Sequence, residues 1–233
     1  MTSRVLLVIP ARLASTRLPR KMLLRETGKY LVQHVHERAL LVKNADEVVV
    51  AADDPEIAAA VESFGGVAVL TSPRHPSGSD RVAEVARKRP ASLVVNLQGD
   101  EPEIDPEDVE RLIDAMAVGD EMGTLVHERL TAEDQRNPAV VKAVVEGPFA
   151  VDFRREPTPG AFRHVGIYAY RPAFLERFTK LPPTAREKER RLEQMRALDH
   201  GVRIRAARAR HPGAGIDTPE DYAAFVRRYH GGG

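Results

Sequence analysis

The chain has 233 residues, of which 42% are hydrophobic and 30% are charged, a composition typical of a globular protein and not of a disordered one. A net charge of +1 gives no global reason to expect a nucleic acid as partner, and the lack of cysteine excludes a disulfide framework, a thiolate nucleophile and a cysteine zinc site. The sequence begins without a signal pattern, and the apolar run at 5–9 is too short to cross a bilayer, so we expect a cytoplasmic protein without a membrane partner.

In the first half of the chain, short apolar runs alternate with amphipathic segments. Strands are predicted at 5–9, 48–50, 67–70 and 93–97, and helices at 30–42, at 78–88 and after the proline-containing starts at 54–56 and 105–108. Nearly uninterrupted apolar runs are typical of strands covered on both faces. We therefore expect an α/β fold with a mixed, mostly parallel sheet flanked by helices.

Beyond residue 120 the alternation weakens. Strands are predicted at 123–127, 139–145 and 164–170, helices at 172–178 and 185–199, and a final helix after Thr218-Pro219. With no clear linker, the simplest organisation is a single domain over 1–233 with a mainly antiparallel excursion at about 123–200.

The loop after the first strand carries four cations, namely Arg12, Arg17, Arg20 and Lys21, with small residues such as Ser15 between them. A loop that leaves the carboxyl edge of an open sheet faces the crevice where such folds bind ligands, and guanidinium groups match phosphate oxygens. The pattern suggests a polyphosphate cradle. A solvated basic loop is the alternative, since no Walker or dinucleotide glycine motif is present.

Two aspartates, Asp100 and Asp217, lie at the boundaries of predicted elements. Asp100 follows the strand at 93–97, and Asp217 precedes the Thr218 helix start. Two carboxylates beside a triphosphate would suit Mg²⁺. Alternatively, Asp217 could assist the helix N-terminus and Asp100 could order a turn. Asp54, before Pro55, is interpreted as a helix cap.

The segment 75–81 contains hydroxyl side chains, a glycine and an arginine directly before a predicted helix. Such groups can contact a planar base or simply cap the helix. Capping alone explains Ser77 or Ser79 but does not require Gly78.

Seven motifs give the chain a family resemblance: ARLASTRLPRK (11–21), SGSDR (77–81), NLQGDEP (96–102), NPAVVKAVV (137–145), RHVGIYAYR (163–171), LEQMR (192–196) and GIDTPED (215–221). In this combination and order they resemble the 3-deoxy-manno-octulosonate (Kdo) cytidylyltransferases, or CMP-Kdo synthetases. The resemblance extends over residues 4–226. It implies a glycosyltransferase-A-like fold and a Mg²⁺-dependent homodimeric enzyme that couples CTP to Kdo for lipopolysaccharide biosynthesis.

The resemblance also implies roles for individual residues. Arg12, Arg17 and Lys21 would hold the triphosphate, and Ser15 would also bind the nucleotide. Arg12, Arg17, Lys21 and Asp100 would act in catalysis, and Asp100 and Asp217 would hold Mg²⁺. Ser77, Gly78, Ser79 and Arg81 would line the nucleoside pocket. On the sugar side it implies Gln98, His164, Tyr168, Glu193 and Gln194, with Arg155 at the carboxylate of the acid.

The chain departs from the family pattern at three places. Arg20 stands where the family usually has glycine, the stretch 153–164 is short, and Arg190 replaces an acid. Two alternatives therefore stay open: a cytidylyltransferase for a related sugar acid such as an amino-substituted Kdo, and a nucleotide-binding protein without catalysis.

Overall fold

The computed structural model describes residues 4–128 and 130–231. Its first half contains β1 (Val5–Ala11), α1 (Leu31–Ala39), β2 (Glu47–Ala52), α2 (Pro55–Ser63), β3 (Ala68–Leu70), α3 (Gly78–Lys88), β4 (Leu93–Asn96) and α4 (Pro106–Ala115). The second half contains β5 (Met122–His127), α5 (Ala132–Arg136), β6 (Lys142–Glu146), β7 (Phe149–Arg154), β8 (Phe162–Tyr170), α6 (Pro172–Phe178), α7 (Ala185–Arg190), α8 (Gln194–Asp199), β9 (Ile204–Arg208) and α9 (Pro219–Gly231). None of the described helices has the length and apolar character needed to span a membrane.

The described residues form two compact units. The first unit comprises 4–91, 96–106 and 213–231, and the second comprises 92–95, 107–128 and 130–212. In the first unit, β1 pairs in parallel with β2, and β2 pairs in parallel with β3. All seven residues of β1 are buried, as its uninterrupted apolar sequence predicts.

Helices cover the strands of the first unit. Helices α1 and α3 contact β1, and α2 contacts β2. The Asp54 carboxylate caps α2 by accepting the backbone N–H of Glu56 at 2.8 Å, which confirms its interpretation as a cap. The segment after β4 runs beside β1, because the Leu97 N–H donates to the Val8 carbonyl at 3.0 Å. The carboxyl end of β1 and the segment 98–100 are thereby brought together.

The second unit has the strand order β4-β8-β5-β9-β7-β6. Strands β5 and β8, β6 and β7, β6 and β8, and β7 and β9 pair in antiparallel fashion, whereas β5 and β9 pair in parallel. The predicted helix at 185–199 is wrong as a single element. It is divided into α7 and α8 because Arg191 adopts a left-handed backbone, with φ of 54°.

Candidate active site

A cavity of about 500 Å³ lies at the carboxyl end of β1 in the first unit. Nine of the predicted site residues line it: Arg12, Ser15, Arg17, Lys21, Ser77, Gly78, Gln98, Asp100 and Asp217. They come from the cationic loop, the start of α3, the segment after β4 and the segment before α9. The fold therefore collects groups that lie far apart in the sequence.

The ammonium of Lys21 lies at the centre of the charged part of the cavity. Its Nζ donates to Asp100 Oδ2 at 2.7 Å and to the Ile216 carbonyl at 2.7 Å, and it lies 3.4 Å from Asp217 Oδ1. The lysine side chain is only 9% exposed, whereas Asp100 and Asp217 are 29% and 47% exposed. One buried cation thus holds two carboxylates together while both retain an open side.

Arg17 and Arg12 add positive charge to the same cavity. Arg17 Nη2 lies 2.9 Å from Asp217 Oδ1, and Arg12 Nη2 donates to the His75 carbonyl at 3.5 Å. Arg17 is 62% exposed, so its guanidinium can turn toward a ligand without losing a buried partner. The cationic groups of the cavity can therefore bind a polyanion, and the two carboxylates lie in the same cavity.

Asp217 is not needed as the cap of α9. The Asp221 carboxylate accepts the backbone N–H of Thr218 at 2.9 Å, and the Thr218 hydroxyl accepts the Asp221 N–H at 3.2 Å. This reciprocal arrangement satisfies the helix start. The Asp217 carboxylate is left to Lys21 and Arg17, which favours the ligand interpretation over capping.

A hydrophobic cluster fixes the segment that carries Asp217. Leu18, at the end of the cationic loop, packs with Leu31, Ile216, Tyr222 and Phe225. Since Ile216 also provides a carbonyl to Lys21, this small core joins α9 to the loop. The Ile216 N–H donates to the Asp100 carbonyl at 2.8 Å, which brings the two acidic segments directly together.

Gly99 allows a close approach between two backbone segments. A Cβ atom at this residue would lie 2.8 Å from the Pro10 carbonyl oxygen, shorter than van der Waals contact allows. Only glycine lets the segment 98–100 lie so near the end of β1.

Two residues predicted for the nucleoside pocket are not among those lining the cavity. Ser79 and Arg81 are 2% and 0% exposed, because they lie on the inner side of α3. Ser77 does line the cavity, and its hydroxyl also accepts the Asp80 N–H at 3.2 Å as the cap of α3. The two interpretations of Ser77 are therefore compatible.

In the second unit, the half-buried side chains of His164 and Tyr168 lie against each other, with their ring centroids 5.5 Å apart. The Nε2 atom of His164 lies 2.9 Å from the Thr124 hydroxyl, and the ring packs edge-on against Phe153. His164 keeps a small exposed surface, yet the protein surrounds its ring and this desolvation lowers its pKa to about 3. Burial, and next the charge of Glu193, raise the pKa of Tyr168 above its ordinary value. Both rings are therefore neutral near pH 7.

Gln194 and Glu193 lie at the start of α8. The Gln194 side chain is buried, and its Nε2 has no hydrogen-bond partner among the described residues. A buried amide donor without a partner costs free energy. A hydrogen-bond acceptor on a ligand would therefore stabilise this Nε2 group.

Arg155 is bound to the backbone of the second unit. Its Nε donates to the Arg190 carbonyl at 2.8 Å, Nη1 to Pro138 at 2.9 Å and Nη2 to Arg191 at 3.1 Å. The neighbouring Arg154 pairs with Asp152 at 2.6 Å. These contacts give no support to the predicted contact between Arg155 and a substrate carboxylate. Nothing in the local sequence distinguishes an arginine that binds carbonyls from one that binds a ligand.

The cavity offers two carboxylates, those of Asp100 and Asp217, to a metal ion. The residues at 4–128 and 130–231 contain no group of three or more histidines or acids placed to hold an ion. Mg²⁺, however, is commonly bound by one or two carboxylates together with phosphate oxygens and water. The converging carboxylates of Asp100 and Asp217 fit that donor set in the presence of a triphosphate.

Comparison with known proteins agrees with the geometry. A protein-family model described as "Cytidylyltransferase" matches residues 6–204. The 3-deoxy-manno-octulosonate cytidylyltransferase of Geobacter sulfurreducens is 43% identical, over 95% of this chain and 97% of its own length. That of Escherichia coli is also 43% identical, over 93% of this chain and 92% of its own.

The fold is likewise shared with solved structures. A CMP:2-keto-3-deoxy-manno-octonic acid synthetase complexed with CTP has a TM-score of 0.94 and 40% identity, over 99% of this chain and 100% of that chain. A 4-diphosphocytidyl-2C-methyl-D-erythritol synthase, at 16% identity and a TM-score of 0.69 over 99% of each chain, shares the fold alone. The α/β nucleotidyltransferase fold expected from the sequence is confirmed. On these matches, which extend over almost its whole length, the chain belongs to the 3-deoxy-manno-octulosonate cytidylyltransferase family of nucleotidyltransferases.

Proposed function

We propose that the protein couples CTP to Kdo, forming CMP-Kdo and pyrophosphate for lipopolysaccharide biosynthesis. The observation that carries this proposal is the meeting of the cationic loop with Asp100 and Asp217 around Lys21 in one cavity. The family membership of the chain and the CTP bound to a 40% identical structure support the choice of nucleotide.

The reaction is a displacement at the α-phosphorus of CTP. The anomeric hydroxyl of the sugar acid attacks that atom, the bond between the α- and β-phosphates breaks, and pyrophosphate leaves. Such a transfer needs positioning and neutralisation of charge, without a covalent protein intermediate. The absence of cysteine is compatible with this chemistry.

The charged groups in the cavity have roles in this scheme. Arg12, Arg17 and Lys21 would bind triphosphate oxygens, and Asp100 and Asp217 would hold Mg²⁺. Bound Mg²⁺ would supply neutralisation of phosphate charge. Lys21 holds the two carboxylates close together before substrate arrives, so the site does not have to reorganise.

On the acceptor side, neutral amide, imidazole and phenol groups together with one acid suit a polyhydroxylated substrate. The family resemblance implies such contacts for Gln98, His164, Tyr168, Glu193 and Gln194. The neutral forms of His164 and Tyr168, and the Nε2 donor of Gln194, can exchange hydrogen bonds with sugar hydroxyls.

A pyrophosphate-release assay tests the proposal. The purified protein is supplied with Mg²⁺, Kdo and each of CTP, UTP, ATP and GTP, and CTP is also tested with an amino-substituted Kdo. We expect release that requires both CTP and Kdo and that stops when the metal is chelated. Efficient turnover of the amino sugar but not of Kdo would reassign the acceptor, and CTP binding without release from any acid would overturn the proposed reaction.

A further inference from the structure

Asp53 lies at the carboxyl end of β2 and is not among the residues that line the cavity. Its backbone N–H donates to the Ala11 carbonyl at 3.2 Å, and its Oδ1 accepts the backbone N–H of Leu13 at 2.9 Å. Leu13 directly follows Arg12 in the cationic loop. Asp53 therefore binds the chain just before and just after Arg12.

The second oxygen of the same carboxylate faces Arg81. Asp53 Oδ2 lies 3.5 Å from Arg81 Nη2, and the Arg81 side chain has no exposed surface. Arg81 Nη1 donates to the Thr71 hydroxyl and to the Ser72 carbonyl, whereas its Nε and Nη2 have no hydrogen-bond partner in the described parts of the chain. A buried guanidinium needs a compensating anion, and Asp53 provides one.

Electrostatic interactions link Asp53 and Arg81 to Arg12, which lines the cavity. Burial lowers the pKa of Arg81, the Asp53 carboxylate opposes that change, and the positive charge of Arg12 adds to it. Asp53 is thus an anion beside a buried cation and a cationic loop. Without it, Arg81 and Arg12 would repel one another across poorly solvated space.

We propose that the Asp53 carboxylate, itself held by Arg81, is a positioning residue that sets the cationic loop in the shape that binds the triphosphate. The inference rests on the proposed function. Asp53 does not touch the nucleotide. It fixes the backbone from which Arg12 and its neighbours reach the phosphates, so that this part of the loop is ordered before CTP arrives.

The chain contains a matched control at the other end of β2. The backbone N–H of Asp46 donates to the Val5 carbonyl at 2.9 Å, and its Oδ2 accepts the Val5 N–H at 2.8 Å. Asp46 thus makes the same two types of bond as Asp53 does, but both go to Val5, at the end of β1 remote from the cavity. Loss of either carboxylate removes one bond to a backbone N–H, and only Asp53 also pairs with Arg81 and anchors the loop.

The test compares Asp53→Ala, Asp53→Asn and Asp46→Ala. Steady-state pyrophosphate release gives KM for CTP and for Kdo, and calorimetric titration of CTP with Mg²⁺ gives Kd without turnover. We expect Asp53→Ala to raise both CTP constants by about tenfold, as loss of a charged hydrogen bond predicts, with KM for Kdo unchanged. Asp46→Ala should lower the melting temperature and leave the CTP constants unchanged.

Equal CTP constants in Asp53→Ala and Asp46→Ala would overturn the inference. If Asp53→Ala does not fold, Asp53→Asn decides, because it keeps the shape and removes the charge: an unchanged CTP constant overturns the role and a raised one supports it. Failure of the proposed function would appear differently, as an unaltered protein that releases no pyrophosphate. The calorimetric comparison would then still decide the role of Asp53.

Discussion

Lys21 shows how one side chain can organise a site. Its buried ammonium bonds to Asp100 and to the Ile216 carbonyl and lies near Asp217, so its position is fixed from three directions. Charge-assisted hydrogen bonds in a partly buried site are stronger than exposed ion pairs. The two carboxylates therefore have defined places before any metal or nucleotide is present.

Replacing Asp100 should reduce turnover strongly. In Asp100→Asn the neutral amide neither neutralises Lys21 nor serves as an anionic Mg²⁺ ligand, so we expect kcat/KM to fall by about 100-fold or more, the scale seen when one preorganised group is lost. Pyrophosphate release measures the effect. Asp54→Asn is the control, since asparagine also caps helices and Asp54 does not line the cavity. A near-normal rate for Asp100→Asn would contradict its role.

Arg20 is one of the residues at which the chain departs from the family pattern. It adopts a left-handed backbone, with φ of 56°, directly before the short 3₁₀ turn that carries Lys21. Glycine, the usual residue of the family at this place, adopts that conformation without strain. Arg20 also pairs with Glu56 on α2, an exposed contact of small energetic value.

The backbone of Arg20 predicts an unusual order of stability. Arg20→Gly should be more stable than Arg20→Ala by about 1 kcal/mol, because alanine retains the left-handed strain and both variants lose the Glu56 contact. Urea unfolding measures the difference. At Arg25, which is exposed and has no positive φ, the order should be reversed: Arg25→Ala should be more stable than Arg25→Gly. The same order at both positions would contradict the explanation.

At the scale of elements, the turn between α7 and α8 is held by a side chain that directly follows β7. Arg155 follows β7 and donates to the carbonyls of Arg190 and Arg191, and its own carbonyl accepts Lys142 Nζ at 2.9 Å. Arg190 also donates to the Phe153 carbonyl at 2.8 Å. These contacts fix the turn that leads into Glu193 and Gln194.

Removing the Arg155 side chain should loosen that corner. We expect Arg155→Ala to lower the free energy of unfolding by about 2 kcal/mol, since three backbone carbonyls lose a charged donor. The neighbouring Arg154→Ala removes an arginine whose contact with Asp152 is partly exposed and should cost less than about 1 kcal/mol. Denaturant unfolding of both variants provides the comparison, and equal losses would show that the three carbonyl bonds add nothing.

Sequence periodicity predicted elements wherever the local pattern was strong. The expected helices at 78–88 and 172–178 agree with α3 and α6, and β1 and β2 begin and end within two residues of expectation. Strands β7 and β9 are not predicted because charged residues interrupt their apolar pattern. A turn signal for β7 was available in Gly147-Pro148, where Gly147 has φ of 55°. The break at Arg191 had no such signal, because no glycine marks it and its contacts come from Arg155.

The sequence likewise predicts part of the candidate site but not all of it. Cations, acids and small residues at strand ends indicated the cavity, because the carboxyl ends of parallel strands share one edge. The inner placement of Arg81, the carbonyl contacts of Arg155 and the loop anchor Asp53 depend on which way a helix or strand is turned. Those orientations follow from packing between distant segments, which local sequence does not encode.

At the scale of the whole molecule, buried histidines make stability depend on pH. Burial lowers the pKa of His34 and His36 in the first unit and lowers that of His164 in the second to about 3. Between that value and the ordinary 6.5, the unfolded chain binds protons that the folded protein does not. The stabilisation is complete above pH 6.5 and declines as the pH falls toward 3.

Replacing His164 should reduce this dependence. In His164→Gln we expect the loss of unfolding free energy between pH 7 and pH 5 to be smaller than in the unaltered protein, by up to about 1.4 kcal/mol for each pH unit below 6.5. Urea unfolding at pH 7, 6 and 5 measures it. His200→Gln, at an exposed position, is the control for the removal of one histidine. An identical pH dependence in His164→Gln would contradict the assignment.

The order in which the chain is synthesised gives the cavity one more property. Lys21 depends on Ile216 and Asp217, and Asp217 follows it by 196 positions. A ribosome releases the cationic loop first and these partners 195 and 196 residues later. A chain that has not yet reached Asp217 therefore lacks a completed pocket for the nucleotide.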